Sequence, residues 1–323
     1  VDAQSQKTTV AWLSVISNTT LVIGKLIIGL LIGSVSILSE AIHSGVDLLA
    51  AIIALFAVRT SGKPADDRHP YGHGKIENIS GTVEALLIFV AAIWIIYEAI
   101  HKLLAPAPLG HLGWGIGVML ISALANTLVS WQLFKVARET DSVALSADAW
   151  HLRTDVYTSA GVMVGLAAMW LGQLLFPKAD LTWLHPVAAM AVAVLILKAA
   201  FDLTRQSARD LLDASLPADE ERWIRNYIGR LHPTVRGFHN LRTRKAGSVR
   251  FVEFHLIVES DMSVEDSHRI AEVITCDIED HFPGSSVLAH VEPCDGLCPT
   301  NCLAGCLLSE TERAHAIRSS SGA

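Results

Sequence analysis

SILSEAIHSGVDLLAAIIALFAV, residues 36–58, reads as a membrane helix that carries Glu40, His43 and Asp47 in its first half. A bilayer core of about 30 Å takes about 20 residues of helix, so this run is long enough to cross. Ionisable groups inside a bilayer are expensive and mark function by default. Asp47 follows His43 by four residues, so the imidazole and the carboxylate share one helical face.

The same pattern returns once. Glu40-Ala41-Ile42-His43-Ser44-Gly45-Val46-Asp47 is matched by Asp148-Ala149-Trp150-His151-Leu152-Arg153-Thr154-Asp155: acid, Ala, any residue, His, three residues, Asp. Two such faces brought together offer two imidazoles and two carboxylates. That set suits a tetrahedral ion with ligand bonds of about 2.0–2.2 Å, and the two carboxylates balance one divalent cation. The plainer alternative is a pair of polar contacts that glue helices together. Glu40 and Asp148, one turn earlier, fit partners of the ligands, charges on the entry path or caps near the membrane interface. Arg153 points away from the His151–Asp155 face by helical angle and is read as snorkelling or paired.

Outward from these runs, six apolar stretches are expected to span, at about 10–31, 36–58, 79–101, 112–136, 143–171 and 181–203. The first is too long for the apolar core of a signal peptide and reads as a retained span. The chain of 323 residues is 51% hydrophobic and 18% charged, with a mean hydropathy of +0.41. Its apolar excess ends near residue 204. Arg59, Lys63, Arg68 and Lys75 lie in the link after the second span. Lys135 and Arg138 flank the link after the fourth, and Arg205 and Arg209 follow the sixth. The opposite links carry Lys102 and Lys178. The positive-inside rule then puts both termini in the cytoplasm.

Residues 210–293 read as a soluble α-β-β-α-β domain, with helices at 218–231 and 263–282 and strands at 238–245, 249–259 and 286–291. Val252, Phe254, Leu256 and Val258 alternate with Phe251, Glu253, His255 and Ile257, so the first set should face the core. The expected architecture is therefore an α-helical membrane domain of six transmembrane helices over 1–209, an α+β domain over 210–293 and a flexible tail over 294–323. In that tail Cys294, Cys298, Cys302 and Cys306 recur every four residues. They read as a soft-metal site or as an inert reduced tail rather than a disulfide framework. The net charge of -7, without a basic patch interleaved with aromatics, argues against nucleic acid. No Walker motif or phosphorylation-type sequence suggests ATP as the energy source.

These motifs resemble the cation diffusion facilitator family, from about residue 10 to Pro293, with Cys294 the last in register. The resemblance is carried by His43-x-x-x-Asp47, the run from Pro64-Ala65-Asp66-Asp67-Arg68-His69-Pro70-Tyr71-Gly72-His73-Gly74-Lys75, then His151-x-x-x-Asp155, Leu211-Leu212-Asp213 and Leu241-Arg242-Thr243-Arg244. It implies a dimeric metal/proton antiporter with six spans and a cytoplasmic metallochaperone-like domain. It implies that His43, Asp47, His151 and Asp155 form the transport site, and that His at the first position tends towards zinc where Asp gives a broader range. The chemistry agrees, since imidazole nitrogen favours Zn2+ over oxygen-seeking Mg2+ or Mn2+.

The resemblance further implies a loop site of Asp66, His69 and His73, which also fit a solvated turn. It implies a binuclear site at the dimer contact from His239, His255, His268, His290 and Glu292. Glu292 stands where relatives often have Asp, and apolar Val291 precedes it; scattered surface histidines are the alternative. Lys75 and Asp213 match a charge pair that ties protomers and domains together. The functional expectation is efflux of Zn2+ across a cell inner (plasma) membrane in exchange for protons, by a homodimeric secondary transporter rather than an enzyme, in contact with lipid but not nucleic acid. Export of Co, Cd or Fe, or a metal sensor that does not transport, are the competing readings. An intramembrane metalloenzyme lacks an evident catalytic acid beside an open metal position.

Overall fold

A computed structural model describes residues 2–33, 35–104, 113–175 and 183–320. The chain forms two compact units, Val1–Leu211 and Leu212–Ala323. The expected starts of the fourth and sixth spans at 112 and 181, the 105–108 link and Lys178 lie outside the described residues.

Among the described residues the first unit contains six long helices in the expected order: α1 (Ala3–Ile32), α2 (Val35–Ser61), α3 (Lys75–Leu104), α4 (Gly113–Thr140), α5 (Val143–Leu175) and α6 (Leu184–Leu211). Asp2 caps α1 by accepting from the Gln4 amide. Gly33, at φ 67°, ends it in the left-handed conformation that glycine adopts freely, and its N–H returns to Gly29 O. Among the described residues α1, α2, α3, α4 and α6 each contain a stretch long and apolar enough to cross a membrane. α5, at 33 residues, is long enough to cross as well, and part of its second half lies outside the residues whose side chains are described. Asp148, Arg153 and Asp155 interrupt its first half.

The bundle is apolar outside and polar within. Leu30, Leu31, Phe56, Trp94 and Leu124 are exposed, whereas Lys7, Lys25, Asp47, Glu77, Glu84, Asp148 and His151 are buried. Water would disfavour that arrangement and lipid favours it, which makes this unit a membrane domain. Neighbours α1 and α2, α3 and α6, and α4 and α5 pack along one another, and α2 also meets α5. Alanines make close approach possible: Ala54, Ala57, Ala144, Ala147 and Ala149 are all buried.

At one end of the bundle Glu77, fully buried, gathers three segments. Lys7 Nζ lies 3.0 Å away, Ser61 Oγ donates at 2.9 Å and Ser142 Oγ at 2.5 Å. Removing one partner of such a buried pair costs about 3–5 kcal/mol, because the other charge stays behind uncompensated.

The second unit comprises α7 (Ala218–Gly229), β1 (Gly237–Ala246), β2 (Val249–Val258), α8 (Val264–His281), β3 (Ser286–Pro293), α9 (Thr300–Ala304) and α10 (Glu310–Ser320). The sheet has the order β1-β2-β3, antiparallel between the first two strands and parallel between the last two. Val252, Phe254, Leu256 and Val258 are buried against Ile224, Ile228, Ile274 and Ile278 of the helices. Between His239 and Arg242 the register of β1 slips by a bulge, with Asn240 at φ 52°. Phe238 and Thr243 are an odd number of residues apart, yet both are buried, facing Leu256 and Val252. The extra residue re-phases the strand so that both sides of the bulge serve one core.

The tail expected to be mobile is folded as far as residue 320. It contributes α9 and α10, and Cys306 bridges to Gly237 of β1. Phe238 N donates to Gly305 O at 3.1 Å and Leu307 N to Arg236 O at 2.9 Å. Helical periodicity gave no hint of this docking, which depends on backbone contact rather than side-chain pattern.

Candidate metal centres

Contact between α2 and α5 brings both His/Asp pairs together, and it pairs them crosswise. His43 Nε2 lies 3.5 Å from Asp155 Oδ1, while His151 Nε2 lies 3.2 Å from Asp47 Oδ1. Each helix puts its His and Asp on one face, as the four-residue spacing requires, and each His then meets the acid of the other helix. Ligand atoms of His43, Asp47 and Asp155 fall within 4.8 Å of one another. His151 joins the group through Asp47. Among the described residues, buried His151 Nδ1 and Asp155 Oδ2 have no hydrogen-bond partner. An unpaired carboxylate oxygen inside a membrane domain is costly, and a bound cation would relieve it. The donor set therefore fits a divalent ion.

Beside these residues opens a cavity of about 200 Å³, lined by Lys25, Glu40, His43, Asp47, Asn126 and Asp155 among others. The buried Lys25 ammonium donates to Ser44 Oγ at 2.8 Å and lies 3.3 Å from Glu40 Oε2. Glu40 thus stands at the cavity in an ion pair with α1, not at a helix cap. Asp148 is fully buried inside the bundle, not an exposed helix cap. Arg153 lies over the Phe134 ring of α4 at 5.6 Å, paired as expected. Reading by the His/Asp motif missed Lys25 and Asn126. The available signal was a single lysine in the apolar run 10–31, which a bilayer tolerates only with a partner.

A second cluster lies between α2 and α3. Asp66 Oδ1 is 3.1 Å from His69 Nδ1 and Asp66 Oδ2 is 3.3 Å from His73 Nε2, with all three ligand atoms within 4.8 Å. The turn is fixed by its backbone: the amides of His69 and Arg68 donate to Asp66 Oδ1, and Gly72 has φ 79°. Those donors, the His69 amide first, together with the His69 side chain hold the Asp66 carboxyl below its ordinary range against the opposing effect of desolvation. A carboxylate that stays ionised beside two imidazoles is equipped for a cation.

The third cluster is a row across the sheet. His239, His255 and His290 are register partners on β1, β2 and β3, on the face opposite the helices. Glu292 reaches under them, its Oε2 at 2.9 Å from His239 Nε2 and its Oε1 at 2.7 Å from His255 Nδ1 and 3.6 Å from His290 Nε2. Partial burial raises the Glu292 carboxyl, but hydrogen bonds from His239 and His255 outweigh it and leave the group below its usual range. Glutamate serves here because its longer side chain spans from β3 to β1. His268 does not join the row: it is exposed on α8, which packs on the other side of the sheet.

Lys75 begins α3 and its Nζ lies 3.5 Å from Leu211 O. Asp213, at φ 54°, lies 3.4 Å from Arg244 Nη1. The two residues belong to different units, each described by itself.

Comparison with known proteins covers both units. The family model described as "Cation efflux transmembrane domain" matches residues 11–212, and "Cation efflux protein, cytoplasmic domain" matches 216–294. The transporter sll1263 of Synechocystis sp. is 37% identical over 261 residues, covering 81% of this chain and 82% of its own. The cation-efflux pump FieF of Yersinia pestis is 36% identical over 263 residues, covering 81% of this chain and 84% of its own. The metal-bound C-terminal domain of the CzcD transporter from Thermotoga maritima is 26% identical over 24% of this chain and 94% of its own, with a TM-score of 0.22.

Proposed function

The chain belongs to the cation efflux, or cation diffusion facilitator, family, a multi-pass membrane transporter of divalent cations, and we propose that its cargo is Zn2+, exported from the cytoplasm in exchange for protons. The observation that carries this reading is the crosswise His43–Asp155 and Asp47–His151 pairing of α2 with α5. Two imidazoles and two carboxylates favour a four-coordinate ion of intermediate softness, and Zn2+ is the commonest such ion. The loaded site carries two negative ligands against two positive charges, so the membrane interior meets no net charge.

Imidazole and carboxylate ligands bind metal only when deprotonated, so protons and Zn2+ compete for the same atoms. When a movement of α2 against α5 exposes the site to the far side, proton binding there displaces the ion. Lys25, held between Glu40 and Ser44, supplies a fixed positive charge at the cavity wall and balances Glu40 when the cavity is empty. Asp66, His69 and His73 form a capture site at the cytoplasmic loop. In this reading both termini are cytoplasmic, the membrane is the cell inner membrane, and the second unit makes a homodimer. His239, His255, His290 and Glu292 hold metal at that dimer contact. His268 contributes from the second copy, and Lys75 with Asp213 ties the assembly near the membrane surface.

Reconstituted protein tests this. Zn2+ added outside proteoliposomes should drive proton counterflow, and His151→Ala should reduce that flux at least about tenfold to 100-fold, the loss that changing even a hydrogen-bonding partner of a metal ligand brings. Zn2+ binding without any counterflow in the unaltered protein would favour a sensor instead. Normal flux in His151→Ala would remove this site from the mechanism.

A further inference from the structure

Glu77 is a fully buried acid that none of the three metal clusters uses, and its place in the bundle is informative. Helix α2 meets α5 antiparallel, since His43 faces Asp155 and Asp47 faces His151. α1 ends at Ile32 and α2 starts at Val35, α4 ends at Thr140 and α5 starts at Val143, so each packed pair turns back on itself. The cavity lining can therefore be placed. Lys25 lies late in α1, Glu40 and Asp47 early in α2, Ser122 and Asn126 early in α4, and Thr158 beyond Asp155 in α5. All of these belong to one end of the bundle.

At the other end the way is shut twice. Ala11, Leu55, Val58, Leu133, Leu145 and Leu152 form one buried apolar layer from α1, α2, α4 and α5. Glu77 lies beyond it, because each of its partners is about one turn nearer the bundle end: Lys7 before Ala11, Ser61 after Val58 and Ser142 before Leu145. Glu77 Oε1 takes Lys7 and Ser61, and Oε2 takes Ser142. Ser142 Oγ in turn accepts from the Leu145 amide at 3.4 Å and so caps the start of α5. Gln4 adds a tie from α1 to α2, its Nε2 donating to Val58 O at 2.6 Å. One carboxylate thus holds the end of α2 to the start of α5, the two helices whose meeting makes the His/Asp set.

This contact has two states rather than a gradual range. Dry, Lys7 and Glu77 each leave the other uncompensated if they separate, which is costly. Once water enters, both charges are solvated, and an exposed pair of this kind is worth at most about 1 kcal/mol. The knot therefore favours a closed, dry end or an open, wet one over anything between, as a gate requires.

We propose, on the reading of this chain as a transporter with cytoplasmic termini, that Glu77 with Lys7, Ser61 and Ser142 forms the inner gate. Closed here, it bars the cytoplasm from the metal site, and it must part for an ion to load. Loading separates Ser61 of α2 from Ser142 of α5, while release to the far side leaves them together. The apolar layer beneath opens in the same movement and uncovers Ala57, which is 1% exposed in the closed state.

The membrane unit has no cysteine of its own, since all five lie in the second unit. With those five changed to Ser in the full chain, Ser61→Cys/Ser142→Cys places two thiols where the serine oxygens lie 2.9 and 2.5 Å from one carboxylate. A short bismethanethiosulfonate should join them. Zn2+-driven proton counterflow in proteoliposomes should then fall at least about tenfold and return with reductant. A static staple would transport normally when joined. Counterflow before cross-linking shows that the transport reading holds, so a loss on joining belongs to the gate alone. A second measurement needs no transport. Ala57→Cys in the same background should react slowly with a membrane-impermeant maleimide and at least about tenfold faster with Glu77→Gln added, which orphans Lys7. The rate should fall again with Lys7→Met/Glu77→Gln, where no charge is left unpaired. Thiols that cannot be joined, normal flux through the joined protein, or an Ala57→Cys rate indifferent to Glu77→Gln would overturn the proposal.

Discussion

His43 is the most open of the four residues proposed as the transport site, with its side chain 54% exposed, whereas Asp47 is 4% exposed. Under the proposed function, that exposure lets the imidazole reach an ion in the cavity, which makes His43 the residue at which to test metal selectivity. Exchange of His43 for Asp would set three carboxylates and one imidazole around the ion. Oxygen donors suit Mn2+ better, and the extra negative charge strengthens proton competition. His43→Asp should therefore lower the preference for Zn2+ over Mn2+ by on the order of tenfold, equivalent to about 1.4 kcal/mol, in a metal-competition transport assay. An unchanged metal ranking would show that selectivity resides elsewhere. At the same scale Glu292 shows one carboxylate of β3 reaching both His255 on β2 and His239 on β1.

Elements in the second unit owe their ends to local chemistry. Ser309 and Glu312 form a capping box for α10: Ser309 N and Oγ donate to Glu312 Oε2 at 2.7 and 2.6 Å, and Glu312 N returns to Ser309 Oγ at 3.4 Å. Hydrogen bonds from the Ser309 hydroxyl and amide hold the Glu312 carboxyl below its ordinary value. Its contribution is therefore complete above the unfolded pKa of about 4.3 and is lost as pH falls through the lower folded value. Amide exchange across 310–320, corrected for intrinsic rate, should accelerate only in that acid window. Glu312→Ala, which removes the acceptor, should show the faster exchange already at neutral pH and lose the acid transition. Identical profiles for both proteins would contradict the capping role. The β1 bulge belongs to this scale too, because one inserted residue decides which side chains reach the core.

For the whole molecule, the histidine row lies open on the sheet while His268 sits behind it on α8, so the five residues cannot enclose metal within one copy. Dimer and metal should then be linked. Mass measurement in detergent should give two chains per particle, and chelation with EDTA should weaken the dimer on the order of tenfold, as expected when a ligand binds only the associated form. A dimer unaffected by both EDTA and His268→Ala would separate assembly from metal. The sequence alone determined the apolar runs, the alternation of β2 and the twin His/Asp spacings, because helix and strand periods are local properties of the chain. It could not supply the crosswise pairing of His43 with Asp155 and Asp47 with His151, the insertion of Lys25 beside Glu40, or the return of the cysteine tail to β1. Those depend on which faces of distant segments touch, and a contact between residues a hundred positions apart leaves no period in the sequence that encodes it.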